Sequence, residues 1–490
     1  MPNSELIIVS NRSPVSDFQK SNAQFTIGGL ASALHRVAEK KKATWYFGTD
    51  QNLDLSEYES PKSLDYELKP VPIGKKEYKS YYAGYSNSLI WPLFHYSPDK
   101  CVFSQEDWIN YQNVNKKFAM EILNSLEENP DATIWIQDYH LFLVAKYLRQ
   151  FGVKNKIGFF LHIPFPTYEI FRLIPERREL LQAMLAFDVV GLHTRSYVTN
   201  FYRSVRNIVK EARTHEQEHF IEFNGRKCFV EHFPISVDSE MITGLVEQLQ
   251  NTPGSSLNVK HIKESSSFKV GLGVDRLDYS KGILERLRAI EYLLKKNSKY
   301  RNKFTFIQIA VPSRGAVQDY YQYKLECEQI VSRINGAYGS VDWTPIIYIT
   351  RPVPFETLIK YYNAVDFALI TPLRDGMNLV AKEFILSCKD DAALILSEMA
   401  GSAEEITKVE LVNPYNQEQI ANAITKCFQN PGYQKSVMED YREYLLENNV
   451  HKWSEDFIEE LENPGSRAQK ELSREPMKMI RPKSKVKEAQ

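Results

Sequence analysis

The sequence reads as an α/β protein built from two doubly wound halves. Short runs rich in Ile, Val, Phe and Tyr recur between longer amphipathic stretches, the pattern of alternating strands and helices. The runs are mostly continuous rather than alternating, as parallel strands covered by helices on both faces require. With 490 residues, the chain exceeds the roughly 150 residues typical of one domain. Two or three domains are therefore expected, with the polar, turn-rich stretch Asn251–Asn258 as the linker between the halves.

In chain order, strands are expected in the first half at Leu6–Ser10, Thr44–Gly48, Thr133–Gln137, Lys156–His162, Val189–His193 and Phe229–Phe233. Those of the second half fall at Phe268–Val274, Phe304–Val311, Ile346–Thr350, Phe367–Thr371 and Leu394–Ser397. Gln434–Leu461 reads as helix. From Pro464 the chain turns polar and basic, with about eight Lys/Arg against three Glu, and is expected to be a disordered solvated tail. The expected boundaries are 1–253, 254–440, a helix over 441–463 and the tail 464–490.

A net charge of −1, from 61 basic and 62 acidic residues, gives no electrostatic footprint for nucleic acid or an anionic membrane. No apolar run approaches the roughly 18 residues needed to span a bilayer, and the N-terminus carries no secretory pattern. The five cysteines are scattered and form no CxxC pair, which suits a reducing compartment. A cytoplasmic protein is expected; the sequence leaves room for a homo-oligomer without requiring one.

In open parallel sheets ligands bind outside the carboxyl ends of the strands, and three motifs stand there. After the first strand comes Ser10-Asn11-Arg12, followed by the pair Gly28-Gly29 opening a helix. Such a pair lets backbone approach an anion at a helix N-terminus, although loop glycines serve turns at least as often. No GxGxxG fingerprint or P-loop is present. The second motif is Arg276-Leu-Asp-Tyr-Ser-Lys281-Gly282. Cations are disfavoured at a helix N-terminus, so two of them there call for an anion, and a diphosphate suits both. The third runs from Thr371 through Asp375-Gly376-Met377-Asn378-Leu379 to Glu383. It turns into a helix whose first N–H groups are free for phosphate or sugar oxygens; Asp375 could equally be an N-cap and Glu383 a solvated helix residue.

His215-Glu-Gln-Glu-His219 matches the HExxH zinc pattern, but it lies in a strongly charged segment running into a strand-like stretch, so no metal is assigned. No GxSxG-type nucleophile signature occurs.

Together the motifs resemble the trehalose-6-phosphate synthase family of retaining glycosyltransferases. The resemblance runs from Ser10 to about Leu461. It includes Tyr81-Tyr82 through Trp91-Pro-Leu-Phe-His-Tyr96, Trp135-Ile-Gln-Asp138-Tyr-His140, Leu161-His162-Ile-Pro-Phe-Pro166, Ser313-Arg314-Gly315 and Trp343-Thr-Pro345. It implies a GT-B fold, two Rossmann-like domains facing across a cleft, with a C-terminal helix crossing back onto the first. It also implies transfer of glucose from UDP-glucose to glucose 6-phosphate without a cofactor or metal. Carried over by position, Arg276 and Lys281 would hold the diphosphate and Glu383 the ribose. Asp375, Gly376, Met377, Asn378 and Leu379 would hold glucose and phosphates, His162 would lie near the transferred sugar, and Gly28 and Gly29 would close over the donor. Arg12, Tyr82, Trp91, Asp138 and Arg314 would form the acceptor site.

One departure stands out: where family synthases usually carry a tryptophan, this chain has Thr49, a change expected to reshape the acceptor pocket. Two alternatives therefore accompany the main reading. The first keeps the donor chemistry but changes the phosphorylated acceptor, as in glucosylglycerol-phosphate or validoxylamine-phosphate synthases. The second is a silent sugar-phosphate-sensing subunit, which would be expected to lack Arg276, Lys281, Asp375 or Glu383; all four are present.

Overall fold

A computed structural model of the chain describes residues 5–16, 18–19, 24–25, 29–51, 58–251, 268–314 and 318–473. Two sheets organise it. In the first half the strands are β1 (Leu6–Ser10), β2 (Val15–Ser16), β3 (Gln24–Phe25), β4 (Thr44–Thr49), β5 (Glu67–Pro72), β6 (Thr133–Gln137), β7 (Ile157–Phe160), β8 (Val189–Leu192), β9 (Arg213–His215), β10 (Phe220–Phe223) and β11 (Arg226–His232). The second half has β12 (Lys269–Arg276), β13 (Phe304–Val311), β14 (Ile346–Ile349), β15 (Phe367–Ile370), β16 (Ala393–Ser397) and β17 (Glu410–Val412).

The large sheet runs β5-β4-β1-β6-β7-β8-β11-β10-β9 and the smaller one β14-β13-β12-β15-β16-β17. Apart from the separate β2–β3 pair, and counting strands within each sheet in chain order, the first has the second and third to one side (β4 and β5, or β13 and β14) and the fourth to sixth to the other (β6 to β8, or β15 to β17), the Rossmann order. The chain therefore reverses direction between β1 and β6 in one sheet and between β12 and β15 in the other, and at each reversal the helices part to leave a crevice. All pairings in the smaller sheet are parallel, whereas β9 and β10 add an antiparallel edge to the larger one. Strands such as Leu6–Ser10 and Ala393–Ser397 are buried at every residue, which is why their sequence runs are unbroken.

Every expected strand is present, with ends shifted by a few residues at most. The expected helix Gln434–Leu461 is instead two, Lys435–Glu447 and Val450–Glu462, broken at Asn448–Asn449. The Asn449 side chain caps the second helix by accepting from the N–H groups of His451 and Lys452 at 3.0 and 3.1 Å. The break carries the chain between halves. The first helix stays on the second half, where Arg442 donates to the carbonyls of Ile385 and Cys388. The second helix crosses to the large sheet and stacks Phe457 on Trp135 with ring centres 4.6 Å apart. Gly158 and Gly191 make room: a Cβ on either would lie 2.7 Å from Leu461 or Phe457. A second correction concerns the tail, since Ser466–Ser473 is helical. Buried Glu460 accepts from the N–H groups of Gly465 and Arg467 and from the Ser466 hydroxyl, satisfying the start of that helix. Residues 474–490 and most of the expected linker lie outside the described residues.

Candidate active site

The carboxyl end of β12 delivers Arg276, exposed at the strand's last position, and leads into one 3₁₀ turn, Tyr279–Lys281. Gly282 closes that turn with φ +64°, and a Cβ there would stand 2.2 Å from the Thr371 carbonyl oxygen, so only glycine fits. Beneath the turn, fully buried Arg286 donates to Asp275 at 2.7 Å, Gln308 at 2.9 Å and Thr371 at 3.1 Å. This tie fixes the β12 loop to the end of β15.

From β15 the chain brings Asp375 beside Lys281, with Oδ2 2.5 Å from Nζ. The same carboxylate accepts from Asn378 Nδ2 at 3.0 Å. Burial pushes the Asp375 carboxyl up, but Lys281, His95 and Asn378 outweigh it and hold it below the ordinary carboxylate range. Asp375 is not the helix N-cap: Asn378, at φ +70°, holds that position without a capping side chain. The N–H groups that open the helix Leu379–Ser387 therefore lack a capping side chain among the described residues. Met377 is buried and Leu379 half-buried. Glu383, one turn on, accepts from the Tyr362 hydroxyl at 3.0 Å; burial outweighs that bond and lifts its carboxyl to about 7.

Gly376 forms the seam between halves. A Cβ there would lie 2.5 Å from the His162 carbonyl oxygen. The His162 ring, with Nε2 2.9 Å from Gln137 Oε1, is kept neutral by burial and by neighbouring His193, which together hold its pKa well below the usual value. Tyr197 donates to the Asp375 carbonyl at 3.0 Å and Lys382 to the Ile235 carbonyl at 2.9 Å, closing the same seam on either side.

The first half faces these groups mainly with rings. A run of π-helix, Lys79–Ile90, carries Tyr82; such turns recur at functional sites. Tyr82 stacks on His140 at 5.7 Å and on Tyr78 at 5.4 Å, and Arg12, just beyond β1, donates to its hydroxyl. Trp91 opens the next helix and stacks on His95 at 4.1 Å. Asp138, at the end of β6, adopts φ +73°, a strained conformation for a residue with a side chain. Its Oδ1 accepts from the His162 N–H at 3.2 Å. Burial lifts its carboxyl to about 6 against the pull of backbone N–H groups, Arg314 and Arg276.

Arg314 joins the two sets. It stands with φ +48° in the loop after β13. Its guanidinium lies 3.6 Å from the centre of the Trp91 ring and donates to Asp278 at 2.9 Å, Tyr320 at 2.6 Å and Tyr139 at 3.3 Å. Arg276 lies over the same tryptophan at 5.5 Å. Arg314 Nε, Trp91 Nε1, Asn378 Oδ1 and both His140 ring nitrogens are buried without a hydrogen-bond partner among the described residues. Buried polar atoms are normally bonded, so their gathering here marks a surface shaped for a polar ligand.

Of the residues expected from sequence, Arg12, Tyr82, Trp91, Asp138, His162, Arg276, Lys281, Arg314, Asp375 to Leu379 and Glu383 thus line one crevice region or its immediate support. Gly29 begins the helix Gly29–Lys41, while Gly28 lies outside the described residues. Thr49 ends β4, buried, its hydroxyl accepting from the Gln51 N–H at 3.2 Å. The HExxH stretch is a hairpin, not a helix: His215 ends β9 and His219, at φ +59°, bonds Glu231 at 2.6 Å. Its two imidazoles therefore share no helical face. Asp278, Tyr139, Tyr320 and His140 went unassigned in the sequence reading. Three cations converging on one place require counter-charge, and that requirement could have singled out Asp278.

Comparison with known proteins places nearly the whole chain in one family. The pattern of glycosyltransferase family 20 matches residues 4–463. The UDP-forming α,α-trehalose-phosphate synthase of Candida albicans is 37% identical over 483 residues, covering 94% of this chain and 98% of its own. A solved E. coli structure with UDP-2-fluoro glucose bound superposes with TM-score 0.85 at 32% identity, over 94% of this chain and 99% of that one. The Burkholderia xenovorans UDP-forming synthase in complex with glucose 6-phosphate gives TM-score 0.83 at 33% identity, over 94% and 100%.

Proposed function

The chain belongs to glycosyltransferase family 20, and from that premise we propose that it moves glucose from UDP-glucose to glucose 6-phosphate with retention, yielding α,α-trehalose 6-phosphate and UDP. The observation that carries this reading is the convergence of Arg276, Lys281 and Arg314 on one crevice walled by Trp91 and Asp138. That sets cationic donors for a departing diphosphate and for an acceptor phosphate side by side.

In this reading Arg276 and Lys281 take the diphosphate, and the N–H groups from Gly376 to Leu379 take phosphate and sugar oxygens. Asp375 accepts from glucose hydroxyls and Glu383 from the ribose diol; Gly28 and Gly29 approach the donor phosphates. Arg12, Tyr82 and Arg314 surround the acceptor phosphate, while Trp91 and Asp138 seat its sugar. The bond from the anomeric carbon to the β-phosphate oxygen breaks, and the acceptor hydroxyl adds from the same face. Its proton passes to the departing oxygen. The enzyme's part is to stabilise the charge that develops on the leaving group and to hold the hydroxyl beside it, on the same face of the anomeric carbon. His162, neutral, can offer the transferred sugar a hydrogen bond without adding charge. All five cysteines are free thiols, which supports placing the reaction in a reducing compartment such as the cytoplasm; among the described residues no helix is long and apolar enough to cross a membrane.

The test is UDP release by the purified protein supplied with UDP-glucose and either glucose 6-phosphate, glycerol 3-phosphate or no acceptor. Strong stimulation by glucose 6-phosphate, with trehalose 6-phosphate identified as product, is the expected result. Stimulation by glycerol 3-phosphate alone would retain the donor assignment and overturn the acceptor.

A further inference from the structure

Asp278 lies between Arg276 and Lys281 in the loop after β12, and its side chain is completely buried. Its carboxylate meets the neighbouring β13 loop at Arg314. Oδ1 is held by its own turn, accepting from the Ser280 N–H at 3.0 Å and hydroxyl at 2.8 Å. Oδ2 accepts from Arg314 Nη1 at 2.9 Å and from the Tyr320 hydroxyl at 3.3 Å, and that hydroxyl in turn accepts from Arg314 Nη1 at 2.6 Å. Carboxylate, phenol and guanidinium therefore close a triangle that leaves the rest of the guanidinium turned toward Tyr139 and Trp91 of the first half.

Two further facts are consistent with a constrained Arg314 facing an ionised partner. The arginine backbone sits at φ +48°, which a side-chain-bearing residue keeps only when its surroundings fix it. Burial would raise the Asp278 carboxyl, yet Arg314, Arg276, Lys281 and His95 bring it down to about 2, so it stays a full anion among the cations it sits between. We propose that Asp278 is a positioning residue for the acceptor: anchored in the loop that carries the donor cations, it orients Arg314 toward the acceptor's phosphate. This rests on the reading of Arg314 as an acceptor-phosphate residue. One rigid turn then carries Arg276 and Lys281 and also aims the arginine for the second substrate, so donor and acceptor charges are set in register by a single element.

The experiment compares Asp278→Asn, Arg314→Ala and the double variant in the full-length enzyme, with separate KM values for UDP-glucose and glucose 6-phosphate. Asparagine keeps an oxygen for Ser280 but turns an N–H toward Arg314. Acceptor KM should rise about tenfold, the worth of one charge-assisted hydrogen bond, with donor KM changed by no more than about twofold. In the Arg314→Ala background the same substitution should leave acceptor KM unchanged, because the residue through which it acts is gone. Equal rises in both KM values, or an undiminished effect in that background, would overturn the proposal. Arg314→Ala without effect on acceptor KM would overturn the acceptor reading itself; an effect of Arg314→Ala with none of Asp278→Asn overturns this inference alone. Should Asp278→Asn fail to fold, Tyr320→Phe removes one hydroxyl of the triangle and must raise acceptor KM selectively; no change would count against the proposal.

Discussion

The crevice of the second sheet and that of the first share one strand order but are furnished differently. At β12 and β15 the loops are short, and their charges are already matched inside the protein. Lys281 meets Asp375 at 2.5 Å, and Arg286 ties the two loops together from below. At β1 and β6 the charges are fewer, and the surface is made of the stacked rings of Tyr78, Tyr82, His140 and Trp91, with one strained aspartate. Fixed cations suit a group whose charge grows during reaction, since they need not reorganise as it forms. Rings with a few aimed polar atoms suit a neutral sugar, where shape and hydroxyl direction decide fit. In the proposed reading the β12 and β15 loops serve the leaving group, and the rings of the first half, with Arg314 reaching over from the β13 loop, serve the acceptor.

That contrast is breakable. Lys281→Ala should strike hardest, lowering kcat about 10²- to 10³-fold, by analogy with loss of one transition-state donor. UDP release measured alongside thermal unfolding would separate this from misfolding, and near-normal turnover would remove the charge argument. Arg314→Ala removes a second-half side chain that reaches over Trp91 and Tyr139 of the first half, and should raise acceptor KM about 10- to 100-fold with much less effect on the donor; equal effects would erase the distinction between donor and acceptor groups. Gly376→Ala tests the seam they share. A methyl group 2.5 Å from the His162 carbonyl must push the halves apart at a cost of about 1–3 kcal/mol, so kcat should fall roughly tenfold or more without selective change in either KM.

The smallest effect concerns Glu383. Its carboxyl rises from 4.5 to about 7 in the folded protein. Between those values the folded state binds more protons than the unfolded chain, so this group's contribution to stability is complete below about 4.5 and is lost as pH rises through 7. A ribose diol donating to the carboxylate favours the ionised form. UDP binding near pH 6 should therefore release up to about one proton, measurable by calorimetry in buffers of different ionisation enthalpy. Glu383→Gln should abolish the release, and persistence of the release would place the ribose elsewhere.

Much of this was legible in the residue order. Buried parallel strands announce themselves as unbroken apolar runs, and all eleven expected runs became strands. The edge strand Glu67–Pro72 was missed because half-exposed edges mix Lys, Glu and Pro into the run. The hairpin strand Arg213–His215 is hidden by the same polarity, whereas Phe220–Phe223 is the strand-like stretch that follows the HExxH segment. The break at Asn448–Asn449 was hidden because helical periodicity persists across it, although two adjacent asparagines are a capping signal. At the site, local motifs marked which strand ends carry chemistry. What they could not convey were pairings set by the folded sheets, such as Arg314 on Trp91 or Gly376 against His162, since no local spacing encodes them.

The break at Asn448–Asn449 has a mechanical consequence. The helix before it is fastened to one half and the helix after it to the other, and the joint between them is two residues long. So short a link acts as a pivot rather than a tether: the halves can change their angle there but hardly their separation. Any opening of the crevice for substrate entry must then be a swing about that point, widest at the rim farthest from it.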